Sequence, residues 1–147
     1  MAEVDPESAC PFCERQTLRA AELVIENDFC IYASTRDPRD PPDVLPGCGI
    51  IVPSAHRTSP FDLTPDEWAA TRDLLVQVRD ALHRRMAPDG YTLIWNDQAA
   101  VHVHLHVIPR FQDEPRWESG GRSAIKVAEN RRPEPWRRGQ GGALSKA

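Results

Sequence analysis

Residues 101–110 alternate aliphatic and imidazole side chains, in the order Val-His-Val-His-Leu-His-Val-Ile-Pro-Arg. Successive side chains of a β-strand point to opposite faces, so His102, His104 and His106 share one face and the aliphatic residues share the other. The pattern predicts a strand over 100–108 with an apolar face on the core and three imidazoles on an open face. Three of the chain's five histidines lie here, a clustering that composition alone rarely produces.

Three interpretations of this histidine face stay open on the residues alone. The imidazoles could ligate a catalytic metal, because histidine is a common ligand and alternate positions of a strand can chelate. One neutral imidazole could instead attack phosphorus, while its neighbours bind the phosphate oxygens and the leaving group. The face could also be plain solvent-exposed strand, although such strands usually mix threonine, lysine, glutamate and serine.

A C-x-x-C motif near the N-terminus supplies further candidate ligands. Cys10 and Cys13 form it, and His56 and His102 follow at wide spacing. Two thiolates and two imidazoles complete a tetrahedral, closed zinc site of the structural type, which would tie the N-terminus to the sheet. A redox dithiol is the competing interpretation, but the βαβ context that it needs is absent. Plain buried thiols are the third.

Assignment of His102 to zinc would leave His104 and His106 free for chemistry. That division favours attack on phosphorus over a catalytic metal. Cys30 and Cys48 have no paired spacing, and we expect both in the core.

The first half of the chain predicts short strands. We expect a hairpin over 18–33 that turns at Asn27 and Asp28, because an Asn-Asp pair interrupts an apolar, β-compatible segment. Residues 35–49 contain four prolines, which predicts a loop. The apolar run over 49–52 ends at a proline and predicts a buried strand.

One long helix follows. Thr64, Pro65 and Glu67 have the spacing of a capping box. The apolar stripe that would cover a sheet is Trp68, Leu75, Val78, Leu82 and Met86. The stop signal at 87–90 precedes a strand over 91–95. This order indicates an α+β domain with a mainly antiparallel sheet of about five strands, packed by one long helix and preceded by an N-terminal zinc knuckle.

The length of 147 residues fits one domain. We expect flexible ends over 1–9 and 139–147 and a single domain over 10–138. No apolar run approaches the roughly 20 residues of a membrane helix. The first nine residues carry three acids instead of a secretory signal, so we expect a cytoplasmic protein without membrane partners.

Charge is distributed unevenly along the chain. Residues 1–109 carry 17 acidic and 9 basic side chains, whereas residues 110–147 carry 5 acidic and 9 basic ones. A formal net charge of −4 argues against binding extended nucleic acid, which requires many phosphates to be neutralised. A local basic strip can still bind one small phosphorylated ligand, and the candidates are Arg110, Arg116, Arg122 and Lys126.

Together these motifs resemble the histidine triad (HIT) family, whose signature alternates three histidines with apolar residues. Four further segments stand in the family's order between residues 10 and 111: CPFC, PGCGIIVP before His56, FDLT at the helix entry, and Trp95-Asn96 before the histidines. The stretch 120–126 and the following ENRRPEP are similar to the tails of bacterial members related to diadenosine tetraphosphate hydrolases.

The resemblance implies a nucleotide hydrolase or nucleotidyl transferase that acts at the α-phosphate of a nucleotide or dinucleoside polyphosphate. His104 would be the nucleophile and form a nucleotidyl-histidine that water resolves, while His106, the second catalytic residue, would contact phosphate oxygens and help to hold the transition state. Asn96 and Gln98 match the residues that bind phosphate and leaving group. The four residues that match the zinc ligands of zinc-containing members are Cys10, Cys13, His56 and His102. Relatives are commonly homodimers, so a homodimer is expected.

Two departures from the family pattern stand out. Only Asp97 separates Asn96 from Gln98, where relatives have a longer, glycine-containing loop. The second strand ends in Tyr-Ala-Ser-Thr over 32–35 instead of a ribose-contacting acid, which Asp37 could replace. The alternatives to the hydrolase are therefore a nucleotide-binding protein without turnover and a metal-dependent enzyme that uses all three histidines.

Overall fold

A computed structural model describes residues 10, 12–13, 18–34, 48–98 and 102–112. The predicted flexible ends and most of the proline-rich loop lie outside the described residues. The elements in chain order are β1 (Val24–Glu26), β2 (Cys30–Ser34), β3 (Gly49–Pro53), a short 3-10 turn (Pro60–Asp62), α1 (Pro65–Met86), β4 (Gly90–Trp95) and β5 (Leu105–Arg110). In the described part of the chain, no helix is long and apolar enough to span a membrane.

The five strands form one antiparallel sheet in the order β1-β2-β3-β5-β4. This confirms the predicted α+β class with one long helix. Strand β5, which carries His106, is inserted between β3 and β4. His106 lies opposite Ile50 on one side and Ile94 on the other, so the sheet fixes its position from both neighbours.

The predicted hairpin is the β1-β2 pair, and Asn27 makes its turn. The side-chain oxygen of Asn27 accepts hydrogen bonds from the backbone N–H groups of Phe29 (2.9 Å) and Cys30 (3.0 Å), which is the local bonding by which asparagine favours turns. The first strand starts later than predicted. Leu18 lies in a short helical turn and packs, buried, against the face of the sheet that α1 does not cover.

The helix α1 begins at the predicted capping box. The Thr64 hydroxyl accepts from the N–H of Glu67 (3.1 Å), and the Glu67 carboxylate accepts from the N–H of Thr64 (2.8 Å). The prediction of Trp68 in the buried stripe was wrong: its side chain is 43% exposed and lies edge-on to Trp95, with ring centroids 5.8 Å apart. The helix instead buries Leu74 completely, along with the predicted Val78.

The two faces of the sheet are buried differently. Residues on one face pack under α1, among them Tyr32, Ile51 and Val107. The alternate residues, such as Ile31 and Val52, face the other way and pack with the partly buried Phe12 of the C-x-x-C segment, among others. Because Val107 lies under the helix, His106 projects to this second face. Cys30 lies in the core as predicted, whereas Cys48 is half-buried.

The histidine strand starts later than the alternation predicts. Strand β5 begins at Leu105, and its pairing with β3 ends at Ile51. Continuing that register would place Val103 opposite Pro53, and a proline has no N–H to extend the ladder. The N–H of Val103 donates instead to the carbonyl of Arg57 at 2.6 Å. Residues 102–104 therefore lie outside the sheet, and the strand begins only after them.

Candidate functional site

The structure brings together the four residues predicted to bind zinc. Their ligand atoms, Sγ for the cysteines and ring nitrogens for the histidines, all lie within 4.8 Å of one another. Nδ1 of His102 is 3.4 Å from Sγ of Cys10 and 3.5 Å from Sγ of Cys13. Nδ1 of His56 is 3.2 Å from Sγ of Cys13. Tetrahedral zinc separates a sulfur and a nitrogen ligand by about 3.6 Å, so this donor set fits the metal.

His102 is oriented toward the two thiols by a second contact. Its Nε2 donates to the carbonyl oxygen of Pro53 at 2.7 Å. A carbonyl only accepts, so Nε2 carries the proton and Nδ1 presents its lone pair to the cysteines. Burial lowers the pKa of His102, although the hydrogen bond to Pro53 opposes the shift. A neutral imidazole with a free Nδ1 is the form that a metal requires.

The ring of His104 is also oriented by a hydrogen bond to a backbone carbonyl, in this case that of His102. Its Nδ1 donates to that oxygen at 3.0 Å, which leaves the lone pair on Nε2. The side chain is half-buried. Its ring lies 4.7 Å from the ring of His106 and 5.0 Å from that of Phe12, both in edge-to-face orientation. The histidine predicted as nucleophile therefore has a fixed tautomer.

His106 is half-buried on the face of the sheet away from α1. Burial lowers its pKa, and the proximity of His104 lowers it further. A neutral imidazole is favoured, which offers one N–H donor and one acceptor beside His104. This is consistent with a group that binds phosphate oxygens.

Phe12 belongs to the site and was missed by the sequence analysis. Its ring lies 5.0 Å from that of His104 and 6.2 Å from that of His102. The available signal was its position between Cys10 and Cys13, since a metal-ligating turn holds the residues inside it close to the metal.

The turn that follows β4 contains the two residues predicted to bind phosphate. The side chains of Asn96, Asp97 and Gln98 are all exposed. Gln98 has a left-handed backbone (φ 58°), and its N–H donates to the carbonyl of Thr58 at 3.1 Å. The turn is thus attached to the segment that contains His56, but the N–H of Gln98 is already used by the protein.

Two other predicted positions are less open to a ligand. Arg110 is only 3% exposed, and its Nη1 donates to the hydroxyl of Thr92 at 2.9 Å, so its charge is buried. Ser34, at the end of the second strand, accepts a hydrogen bond from the N–H of Leu23. The remaining basic candidates and the substitute acid lie outside the described residues: Arg116, Arg122, Lys126 and Asp37.

The fold and these histidines define a histidine triad protein. The sequence model of the HIT domain matches residues 17–113, which is well over half of the chain. The protein belongs to the HIT domain family.

Comparison with individual proteins agrees with this membership. The chain is 25% identical over 126 residues to adenylylsulfatase HINT3 of Arabidopsis thaliana, covering 80% of this chain but only 61% of that protein. A HIT family protein from Bacillus anthracis superposes with a TM-score of 0.57 at 20% identity, covering 93% of this chain and 95% of that one. A Zn-bound histidine triad family protein from Mycobacterium smegmatis superposes with a TM-score of 0.54 at 21% identity, covering 84% and 94%. These structures share the fold.

Proposed function

We propose that the protein is a nucleotide hydrolase or nucleotidyl transferase that works through a covalent nucleotidyl-histidine at His104. The observation that carries this proposal is the hydrogen bond from Nδ1 of His104 to the carbonyl of His102, because it leaves Nε2 as the nucleophilic nitrogen. Membership of the HIT family supports the proposal, as does the similarity to a relative named as an adenylylsulfatase.

In the first step, the lone pair on Nε2 of His104 attacks the α-phosphorus in line with the leaving group. The N–P bond forms, and the P–O bond to the leaving group breaks with its electron pair going to that oxygen. The imidazole becomes cationic, and the carbonyl of His102 stabilises the charge through the proton on Nδ1. In the second step, water attacks phosphorus and loses a proton to solvent, and the N–P electron pair returns to Nε2. An acceptor other than water would give a transferase.

The neighbouring side chains would bind the substrate. We assign His106 to the non-bridging phosphate oxygens, since its lowered pKa favours a neutral ring with one N–H donor. Asn96 and Gln98 are assigned to phosphate and leaving group, as the family resemblance implies. Dinucleoside polyphosphates are the proposed substrate class, from the similarity of 120–126 to bacterial relatives.

We propose that one structural zinc ion binds to the cluster formed by Cys10, Cys13, His56 and His102. The donor distances support this assignment, and so does the similarity to the Zn-bound Mycobacterium smegmatis protein. Zinc in a closed site of four protein ligands supplies folding free energy. The residues themselves would link the C-x-x-C segment to the chain after β3, through His56, and to the chain before β5, through His102. Because this needs reduced thiols, we also propose a cytoplasmic location.

A nucleotide-binding protein without turnover is the second candidate. The observation that favours it is the short turn at 96–98, in which the N–H of Gln98 donates to Thr58 and is not available to an anion. A catalytic metal held by all three histidines is disfavoured. Among the described residues, the cluster that could hold a metal includes His102 but neither His104 nor His106.

A substrate panel with and without a chelator separates these functions. The panel contains dinucleoside polyphosphates, nucleoside phosphoramidates, nucleotide sugars and adenylyl sulfate. The hydrolase proposal predicts turnover that survives brief chelation, together with a nucleotidyl adduct on His104 that mass spectrometry detects after rapid quenching. Binding without turnover would support the second candidate. Immediate loss of turnover on chelation, with the fold intact, would support a catalytic metal.

We also propose that the protein assembles as a homodimer through β4. This strand is at the edge of the described sheet, and such an edge presents free backbone groups. Leu93 on β4 is 47% exposed and borders an apolar groove of about 190 Å³ between the strand and α1. A second copy would pair with this edge and cover the groove.

A further inference from the structure

The connection between β3 and α1 contains an ion pair that the proposed chemistry does not use. Nε of Arg57 lies 3.2 Å from Oε1 of Glu67, and its Nη2 lies 3.2 Å from the same oxygen. The Glu67 side chain is only 5% exposed and that of Arg57 is 34% exposed. The same Glu67 oxygen also accepts from the N–H of Thr64 in the capping box. The guanidinium is therefore held against the first turn of α1.

Arg57 and the residues before and after it contact the predicted site at three points. The carbonyl of Arg57 accepts from the N–H of Val103 at 2.6 Å. His56, the residue before it, belongs to the metal-ligand cluster. Thr58, the residue after it, accepts from the N–H of Gln98. Three consecutive residues thus reach the metal cluster, the histidine segment and the turn predicted to bind phosphate.

The contact with Val103 matters because the sheet does not support this part of the chain. The pairing of β5 with β3 ends at Leu105, so residues 102–104 precede the ladder. The N–H of Val103 and the carbonyl of His102 belong to one peptide. The carbonyl of Arg57 therefore sets the orientation of the group that accepts from Nδ1 of His104. The carbonyl of Arg57 takes the place of the missing strand partner.

We infer that Arg57 is a positioning residue for His104: Glu67 anchors its side chain to the helix, and its carbonyl fixes the His102–Val103 peptide, whose oxygen accepts from Nδ1 of His104. The inference rests on the proposed role of His104 as nucleophile. A small displacement of a reacting group is costly, since about 1 Å of misplacement can slow a reaction by about a hundredfold. Releasing the side chain of Arg57 lets its carbonyl, and with it the peptide of Val103, move.

The test uses Arg57→Gln and Glu67→Gln in the full-length protein. Glutamine at position 67 keeps a capping-box side chain but removes the ion pair, so it separates helix capping from positioning. We expect kcat to fall by about tenfold or more in both variants, with KM within twofold of the wild type and one zinc retained. Arg57→Lys, which keeps the charge but not the two-nitrogen contact, should recover part of kcat. The matched control is Arg19→Gln, which breaks the exposed ion pair with Glu26 and should leave kcat unchanged.

A readout without substrate keeps this inference distinct from the proposed function. The ¹⁵N chemical shifts of the histidine rings report which nitrogen carries the proton. We expect the His104 signals to show a single tautomer in the wild type and a mixture in Arg57→Gln. If the wild-type protein turns over nothing, the proposed function fails, while these shifts still decide the role of Arg57. Unchanged His104 shifts, or an unchanged kcat with only a lower melting temperature, would overturn it. Arg57→Lys and Glu67→Gln decide the question if Arg57→Gln does not fold.

Discussion

Nδ1 of His104 lies 3.0 Å from the carbonyl oxygen of His102, two residues earlier in the chain. His102 therefore has two roles that use different atoms. Its ring points Nδ1 at the thiols of Cys10 and Cys13, while its main chain sets the tautomer of His104. The metal-ligand cluster and the predicted nucleophile are coupled through one residue, and a disturbance of the cluster is expected to reach the nucleophile.

Replacement of His104 tests the proposed nucleophile directly. We expect His104→Ala to lower kcat by at least about a thousandfold, because the covalent step has no other nucleophile. The side chain is half-buried, so the melting temperature should change little. His83→Ala is the control, since His83 is exposed on α1 and should preserve turnover. Steady-state turnover within tenfold of the wild type in His104→Ala would rule out the nucleotidyl-histidine mechanism.

The cluster residues should determine metal content. We expect about one zinc ion per chain in the purified protein, and Cys10→Ser to lower the zinc affinity by more than about a hundredfold, beyond the loss seen when only a supporting contact is removed. The free energy of unfolding should fall as well, because metal binding contributes to folding. Elemental analysis and denaturant titration measure both effects. Cys48→Ser, outside the cluster, is the control, and equal zinc in the two variants would contradict the site.

Features that depend on residues close in the chain were predicted more accurately than features that depend on contacts between distant residues. The capping box at Thr64 and the turn at Asn27 depend on residues close in the chain, and both formed as predicted. The predicted start of the histidine strand was wrong because it depends on Pro53, which a continued β3-β5 register would place opposite Val103. Periodicity indicates an apolar stripe but not which part of it reaches the sheet. Trp68 was therefore predicted to be buried, whereas it lies exposed beside Trp95 of the edge strand.

In the candidate site, too, some residues could be predicted from the sequence and others could not. That Cys10 and His102 come together could be predicted because the chemistry of thiols and imidazoles limits what such residues do together. Phe12 and Arg57 carry no such chemical signature. Their roles come from where the fold places a ring or a carbonyl, and a single sequence does not encode that placement in any local pattern.

The capping box should contribute measurably to stability. Thr64→Ala removes the hydroxyl that accepts from the N–H of Glu67, and we expect it to lower the free energy of unfolding by about 1 kcal/mol. Thr64→Ser keeps the hydroxyl and should lie within about 0.5 kcal/mol of the wild type. Urea titration followed by far-ultraviolet circular dichroism gives both values. Equal destabilisation by serine and alanine would show that the methyl group, and not the cap, matters.

Stability should depend on pH through His106. Its pKa in the folded protein is lowered by burial and then by His104, whereas an unfolded histidine titrates near pH 6.5. Below that pH the unfolded chain takes up a proton before the folded one does, so the free energy of unfolding falls as the pH falls. One such group contributes a slope of at most about 1.4 kcal/mol per pH unit. Above pH 6.5 the His106 ring is neutral in both states, so none of this stability is lost there.

Denaturation curves for the wild type and His106→Gln between pH 7.5 and pH 5 measure this contribution. We expect a smaller loss of stability over that interval in the variant, because glutamine does not titrate. The comparison removes the effect of His102, whose pKa is also lowered and which both proteins retain. Parallel curves would mean that His106 takes up its proton equally in the folded and unfolded states.

The edge strand gives a last prediction, about assembly. Leu93 is 47% exposed on β4 beside the apolar groove, and Trp68 on the neighbouring helix is 43% exposed. A lysine in place of Leu93 would put a charge into the proposed interface, and charged residues on edge strands prevent pairing. We expect Leu93→Lys to convert a dimer into a monomer, or to weaken dimerisation by at least about tenfold, as measured by sedimentation equilibrium. Phe29→Lys is the matched control because Phe29 is 41% exposed at the opposite end of the sheet, in the β1-β2 turn. A wild-type protein that sediments as a monomer at all concentrations, or dissociation caused equally by both lysines, would exclude this edge as the interface.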